Sequence, residues 1–326
     1  MPGLNARTGW DFEETRRTFT EVARTREHTV RLDLRANRDR FSFNGGLAWL
    51  ERRGSEYRYN LPYLASYSSE AFINALASAS GCAILAECIR VGPLQNKFYI
   101  ADRDRLRARA WTGYNEAPFS ASLRLDLNRD RYPNSPYGLG ESNQSVASLD
   151  AGFTPDETFS ASAFVTFDRQ SQASRTRQIG SVNAVSSNPL ADWRVDQGNR
   201  TRTLGLNATR AALAGGRLTL SVEALWLSSR SPVTLAAGPA VNPAQNPPGA
   251  LPDLLSVSTR LALEARYALS RATLLKARYQ AWRQRNDDWS LEQVRAATLS
   301  NVIGTLETPL YGTTHGLGLS VVHTFR

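Results

Sequence analysis

The sequence predicts an all-β protein, an antiparallel transmembrane β-barrel of about 11–12 strands. Segments recur along the chain in which every second residue is apolar and the residues between are polar. These segments run for roughly 9–12 residues, close to the roughly 9–11 that a tilted strand needs to cross a bilayer. The connections alternate between tight turns and long loops, which is typical of outer-membrane barrels. A soluble β-sandwich is the alternative, but soluble strands commonly have only about 5–6 residues.

Eleven alternating segments can be followed from residue 28 to the C-terminus. Their apolar faces span residues 30–36, 41–49, 106–110, 119–127, 147–153, 159–167, 204–208, 218–226, 255–267, 273–279 and 317–325. Tight turns are predicted at 37–40, 114–118, 154–157, 211–216 and 268–271. Long extracellular loops are predicted at about 53–101, 129–143, 169–199, 228–254 and 285–313. Aromatic residues at the tight-turn ends indicate an interfacial girdle of Phe41, Tyr114, Phe119, Phe153, Phe159 and Tyr267.

Two units are predicted along the chain. Residues 1–27 form an outer loop or a partial strand, because residues 18–25 alternate poorly, and residues 28–326 form the barrel strands with their loops. Eleven strands place the two ends on opposite sides, which conflicts with the even strand numbers of bacterial barrels. The first residues also lack the pattern of a secretory signal peptide. We therefore expect the chain to be the C-terminal part of a larger barrel.

The basic residues form an unusual pattern. Of 39 basic residues only Lys97 and Lys276 are lysines, and the net charge of +9 invites a nucleic-acid function. The arginines, however, recur at every second position within strands, so no nucleic-acid partner is expected. On a barrel this polar side is the lumen, and the predicted luminal basic face comprises Arg31, Arg35, Arg105, Arg107, Arg109, Arg124, Arg260, Arg266 and Arg278. It fits a lumen of solvated ion pairs, an anion-preferring pore, or a lumen that holds an acidic partner.

Little in the sequence indicates catalysis or metal binding. It has no C-x-x-C-H haem motif and no zinc-type ligand set, so we expect no cofactor, no metal and no catalytic residue. Asp287-Asp288 with His315 would suit a hydrolase, but adjacent acidic residues in a loop are more often simply solvated. Cys82 and Cys88 form a loop disulfide only if the helix expected over residues 71–89 breaks at Gly81, since a continuous helix holds their Cα atoms about 10 Å apart.

The C-terminal part of the chain carries a series of motifs that resembles the MtrB/PioB family. In order they comprise Pro252, Asp253, Asp287, Asp288, Trp289, Tyr311 and the closing Phe325, with the predicted strands between them. The earlier stretch from Arg31 to Arg35 is similar to that family as well. One further residue, Arg326, follows the closing aromatic residue, which is a small departure from the usual end of such barrels.

The resemblance implies a fold, a partner and a location. Members of the family are outer-membrane barrels of about 26 strands, within the known range. They form a sheath around a periplasmic multihaem (decahaem) c-type cytochrome, which passes electrons across the outer membrane. The barrel binds no haem itself; the cytochrome carries it, and an outer-surface cytochrome is a further expected partner beside outer-membrane lipid. A general or anion-preferring porin is the alternative function.

Overall fold

The chain forms one antiparallel sheet of twelve strands in the computed structural model, which describes residues 3–18, 20–57, 96–177, 189–241, 249–288 and 311–325. Each strand is hydrogen-bonded to the strands that precede and follow it in sequence. The strands are β1 (Leu4–Arg16), β2 (Arg24–Arg38), β3 (Phe41–Gly54), β4 (Arg103–Glu116), β5 (Phe119–Arg131), β6 (Gly138–Asp156), β7 (Phe159–Arg177), β8 (Asp192–Ala212), β9 (Leu218–Ala237), β10 (Gly249–Ala268), β11 (Thr273–Asp287) and β12 (Tyr311–His323). A 3-10 turn, Pro189–Ala191, precedes β8, and a short helical turn, Leu213–Gly216, joins β8 to β9.

The strand register separates the side chains into two faces. Leu32 of β2 lies opposite Leu47 of β3, which lies opposite Ala108 of β4, which in turn lies opposite Leu127 of β5. Because successive residues of a strand point to opposite sides, the polar residues between them share the other side. We call the side of Leu32 the apolar face and the opposite side the luminal face. The predicted all-β antiparallel fold is confirmed.

Strand β1 departs from the expected outer loop or partial strand at residues 1–27. It spans thirteen residues and pairs with β2 along its whole length, from Leu4 opposite Ala36 to Arg16 opposite Arg24. Its apolar-face residues Leu4, Trp10 and Phe12 alternate well; the poorly alternating residues 18–25 are mostly the connection to β2. With β1 the count is twelve, not eleven. The start of β1 and the end of β12 therefore lie at the same end of the sheet, that of the tight turns.

At the end opposite the tight turns, the strands extend far into the regions predicted as long loops. Strands β6 to β10 each have 19–21 residues. The predicted loops 129–143, 169–199 and 228–254 shrink to connections over residues 132–137, 178–191 and 238–248, and the predicted 53–101 and 285–313 become 55–102 and 288–310. In these outer parts of the strands the backbone hydrogen bonds between neighbouring strands continue, although polar residues occupy both faces. Alternation of apolar residues detects only the apolar part of each strand.

The predicted aromatic girdle is present at the tight-turn end. Phe41 lies opposite Tyr114 with ring centroids 5.1 Å apart, and Phe119 lies opposite Phe153 at 5.0 Å. Phe159 extends this row at 6.2 Å from Phe153. Amphipathic and aromatic side chains in one row are typical of a membrane–water interface.

The sheet has two edges, β1 and β12, which pair on one side only in the part of the chain that is described. Their apolar residues are strongly exposed: Trp10 by 63% and Leu319 by 72%. Such edges present unpaired backbone groups that favour pairing with further strands.

Arg52, near the end of β3, holds the last residues of the connection between β3 and β4. Its guanidinium donates hydrogen bonds to the backbone carbonyls of Phe98 (2.8 Å), Tyr99 (3.0 Å) and Ala101 (2.9 Å). The side chain is buried, with the residue only 8% exposed. A single side chain therefore holds three backbone carbonyls of the connection.

We expect Arg52→Gln to lower the free energy of unfolding by about 3 kcal/mol, because three hydrogen bonds from a charged group are lost. Urea unfolding in lipid vesicles, followed by tryptophan fluorescence, measures this change. The neighbouring Arg53→Gln is the control: Arg53 is half-buried, and it forms ion pairs with the partly exposed carboxylates of Glu51 and Asp104, which contribute at most about 1 kcal/mol. Equal losses in the two variants would contradict the anchoring role of Arg52.

Candidate functional site

The luminal face carries the charged residues predicted from sequence. Six of the nine predicted arginines lie close together on β2, β4 and β5: Arg31, Arg35, Arg105, Arg107, Arg109 and Arg124. The other three, Arg260, Arg266 and Arg278, lie on β10 and β11. Four strands, β6 to β9, separate the two groups, which amounts to about 24 Å along the wall at about 4.8 Å per strand.

The wall between the two groups has a different chemistry. At their luminal positions β6 to β9 present mainly hydroxyl and amide side chains, together with Asp150, Asp168 and Glu223. None of the arginines in these four strands lies at a luminal position. The described wall therefore has two basic regions flanking a neutral to acidic one.

Five of the nine arginines form ion pairs with carboxylates. Within the larger group the Arg31 guanidinium lies 2.7 Å from Asp11, Arg109 lies 2.6 Å from Asp33, and Arg124 lies 2.5 Å from Asp126. Arg105 donates two bonds of 2.5 Å to the buried carboxylate of Asp130. In the smaller group Arg266 pairs with Glu264. Forked pairs of this kind hold a guanidinium in one orientation.

Gly46 allows the Arg109–Asp33 pair to form across an intervening strand. It lies opposite both residues, on β3 between β2 and β4. A Cβ atom at this position would lie 2.5 Å from Nε of Arg109 and 3.2 Å from the carboxylate of Asp33. Only a residue without a side chain lets the guanidinium lie flat across the strand.

Four arginines of the predicted face have neither an ion pair nor a hydrogen bond to another described side chain. They are Arg35, Arg107, Arg260 and Arg278. Arg107 lines a luminal groove of about 520 Å³ together with Arg31, Arg109 and Asn128. These guanidinium groups are available to bind an external anion or carboxylate.

A further polar cluster lies where β7, β8 and the 132–137 connection meet, and the sequence did not predict it. Asp192 accepts hydrogen bonds from Arg175 (2.7 Å), Arg177 (2.5 Å) and the hydroxyl of Tyr137 (3.1 Å). Burial, and then the hydrogen bond to Asp192, raise the pKa of Tyr137, so it is a neutral donor at ordinary pH. The cluster joins residues 40 and 55 positions apart in sequence, which no local pattern reveals.

The family-like motif residues lie near the ends of β10 to β12. Pro252 and Asp253 occupy a β-bulge between Leu251 and Leu254, and the Asp253 carboxylate accepts a bond from Arg230. Asp287 lies 3.9 Å from Arg285, and Tyr311 lies opposite that arginine at the start of β12. Phe325 is 89% exposed and packs edge-on against His323. Three of the predicted site residues lie outside the described residues: Trp289, Cys82 and Cys88. Asp288 interacts with another residue.

Residues considered for hydrolysis do not meet. His315 lies opposite Ala281, six residues along β11 from Asp287, which corresponds to about 20 Å. Its ring bonds instead to the hydroxyl of Tyr279 at 2.7 Å. In the described ranges no three His, Cys, Asp or Glu side chains form a metal-binding group. No described helix is long and apolar enough to span a membrane.

The two faces can be tested on adjacent residues of β8, where Thr203 is luminal and Leu204 lies on the apolar face. After Cys82 and Cys88 are replaced by serine, we expect a water-soluble maleimide to label Thr203→Cys in vesicles. Leu204→Cys should be labelled at least about tenfold more slowly, because lipid excludes the reagent. Equal labelling rates would contradict the assignment of the faces.

Comparison with protein families identifies the architecture. The chain matches, over residues 1–325, a family model described as "Putative outer membrane beta-barrel porin, MtrB/PioB". The comparison with curated proteins returns no significant match.

Solved structures share the fold. A mutant of the ferric enterobactin receptor PfeA from Pseudomonas aeruginosa superposes with a TM-score of 0.56 and 8% identity, over 99% of this chain and 42% of that one. The copper transporter OprC superposes with a TM-score of 0.53 and 9% identity, over 98% of this chain and 42% of that one. The chain therefore spans about two fifths of the length of these outer-membrane barrels, and the likeness establishes the fold alone. The chain belongs to the MtrB/PioB family of outer-membrane β-barrel porins.

Proposed function

We propose that the protein forms part of an outer-membrane sheath that holds a periplasmic multihaem c-type cytochrome and so supports electron transfer across the membrane. The observation that carries this proposal is the set of luminal arginines that have no carboxylate partner within the described ranges: Arg35, Arg107, Arg260 and Arg278. The family and the outer-membrane location support it.

The luminal arginines suit the acidic surface of such a cytochrome. Haem propionates and acidic side chains present planar carboxylates, which a guanidinium binds through two parallel hydrogen bonds. The paired arginines keep their positions through Asp11, Asp33 and Asp130. The unpaired ones can therefore contact the partner without disturbing the wall. Electron transfer through a chain of haems needs no catalytic residue from the sheath, and the partner carries the haem.

Small luminal residues allow a protein to approach the wall closely. Gly46 and Ala48 separate the arginines of β2 from those of β4. At the opposite edge β12 presents Gly312, Gly316 and Gly318 on its luminal face. Positions without bulky side chains leave the neighbouring guanidinium groups within reach of a folded partner that packs against the wall.

Barrel size also bears on the proposal. Twelve strands closed alone, with a spacing of about 4.8 Å and a tilt of about 40°, give a backbone diameter of only about 24 Å. About 26 strands give a diameter of about 50 Å, enough to enclose a compact domain about 30 Å across. We propose that β1 and β12 pair with further strands of such a barrel, with the tight turns in the periplasm and the longer connections outside the cell.

A general or anion-preferring porin is the second candidate function. The groove beside Arg31, Arg107 and Arg109 is open and polar, and fixed positive charges in a lumen attract anions. In that case the unpaired arginines would set ion selectivity and would bind no protein.

The proposal predicts that Arg35→Gln, Arg107→Gln and Arg278→Gln together weaken co-purification of the full-length protein with its cytochrome by at least about tenfold. Loss of several charge-assisted contacts has this consequence. The difference from the unchanged protein should shrink as the salt concentration rises, because salt also screens the contacts that the variant lacks. Haem absorbance per mole of purified barrel measures it.

The matched control is the triple variant Arg169→Gln, Arg200→Gln and Arg202→Gln, which removes the same charge from the apolar face. It should retain the cytochrome. If both triple variants retain it while only the luminal one changes ion selectivity, the porin function replaces the sheath.

A further inference from the structure

A row of arginines lies on the apolar face, where lipid is expected and charge is costly. Arg169 of β7 lies directly opposite Arg200 of β8, and Arg200 lies directly opposite Arg230 of β9. Arg202, two residues along from Arg200, lies opposite Phe167. All eight arginines of β7 to β9 share this face: Arg169, Arg175, Arg177, Arg194, Arg200, Arg202, Arg210 and Arg230.

Three arginines of this face, Arg169, Arg200 and Arg202, have no carboxylate partner among the described residues. Like charges placed directly opposite each other destabilise a sheet. Arg230 has a carboxylate partner in Asp253, but Arg169, Arg200 and Arg202 form no ion pair or hydrogen bond with any described side chain. All three are exposed. Three positive charges therefore lie side by side without a counter-ion in the part of the chain that the structure describes, which indicates an external anion.

The distance from the aromatic girdle to the arginines matches the thickness of the apolar band of the membrane. Ten residues of β7 separate Phe159 in the aromatic girdle from Arg169. At about 3.3 Å per residue and a tilt of about 40°, this is about 25 Å along the membrane normal. The apolar band of outer-membrane barrels is also about 25 Å tall. The arginines therefore lie at the level of the lipid head groups on the side of the longer connections.

An apolar groove leads from the arginines toward the middle of the apolar band. It has a volume of about 530 Å³, and its wall includes Leu125, Leu127, Ala147 and Phe167 beside Arg169, Arg200 and Arg202. A charged cluster above an apolar channel matches a ligand with an anionic head and a hydrocarbon tail.

We propose that this surface binds a phosphorylated glycolipid of the outer leaflet, of the lipid A type found in lipopolysaccharide. Its phosphates lie among Arg169, Arg200 and Arg202, which offer forked donors to phosphate oxygens, and an acyl chain lies in the groove. The inference rests on the proposed orientation, with the longer connections outside the cell, and it is independent of the cytochrome.

The test uses the full-length protein in detergent with fluorescent diphosphorylated lipid A as the probe. We expect Arg169→Gln, Arg200→Gln and Arg202→Gln together to weaken binding at least about tenfold. Enzymatically dephosphorylated lipid A should bind the unchanged protein as weakly as diphosphorylated lipid A binds this variant. Millimolar inorganic phosphate should not displace the probe, because it cannot occupy the groove.

The control variant carries Arg35→Gln, Arg107→Gln and Arg278→Gln, with the same loss of charge on the luminal face. It should bind lipid A normally even if it loses the cytochrome, so the two proposals fail separately. If the glutamine variant does not fold, a second variant carries Arg169→Lys, Arg200→Lys and Arg202→Lys. Lysine keeps the positive charge but cannot donate the two parallel hydrogen bonds of a guanidinium. Lipid A binding should therefore fall by a smaller factor than in the glutamine variant. Unchanged binding in every folded apolar-face variant, or an equal loss in the luminal control, would overturn the inference.

Discussion

Backbone hydrogen bonding between consecutive strands is the constraint on which the rest of this structure depends. A bilayer offers no water to unpaired amide and carbonyl groups, so each strand must pair with its neighbours along the full thickness of the membrane. Pairing fixes the register, and the register decides the face of every side chain. A slip of one residue in β2 would move Leu32 into the lumen and Arg31 into lipid, so the alternating sequence excludes every slip by an odd number of residues.

The same residue type serves different purposes on the two faces. In the lumen several arginines pair with carboxylates of other strands, and Gly46 leaves room for a guanidinium to cross a strand and reach its partner. Arg105 and Asp130 form a buried pair whose separation would leave a charge without compensation. On the apolar face of β7 to β9 arginines occur only beyond the aromatic and aliphatic band, apart from Arg210, which lies beside Asp156 at the tight-turn end. Each face therefore carries arginines that are paired within the protein beside arginines that have no carboxylate partner among the described residues.

Much of the fold can be predicted from the alternation of apolar and polar residues along the strands. The parts of the fold that differ from the prediction lie where this alternation is absent or where contacts join distant residues. Eleven strands, the luminal parity of nine arginines and the aromatic girdle could all be read from alternation. Alternation does not predict strand β1 clearly, because residues 18–25 alternate poorly, and these residues are mostly the connection to β2. The outer ends of β6 to β10 were missed because polar residues occupy both faces there. The contacts of Arg52 and Asp192 join residues distant in sequence, and which luminal arginines lack partners depends on side-chain geometry.

The central claim is that the barrel and a multihaem cytochrome together conduct electrons through a membrane that is otherwise sealed. Reconstitution into liposomes that enclose a redox dye tests it most directly, with a membrane-impermeant reductant added outside. The account predicts that the dye bleaches only when the full-length barrel and the cytochrome are both present, while enclosed sugars are retained. Bleaching with the barrel alone, together with free passage of ions and sugars and no capture of a haem protein, would contradict it.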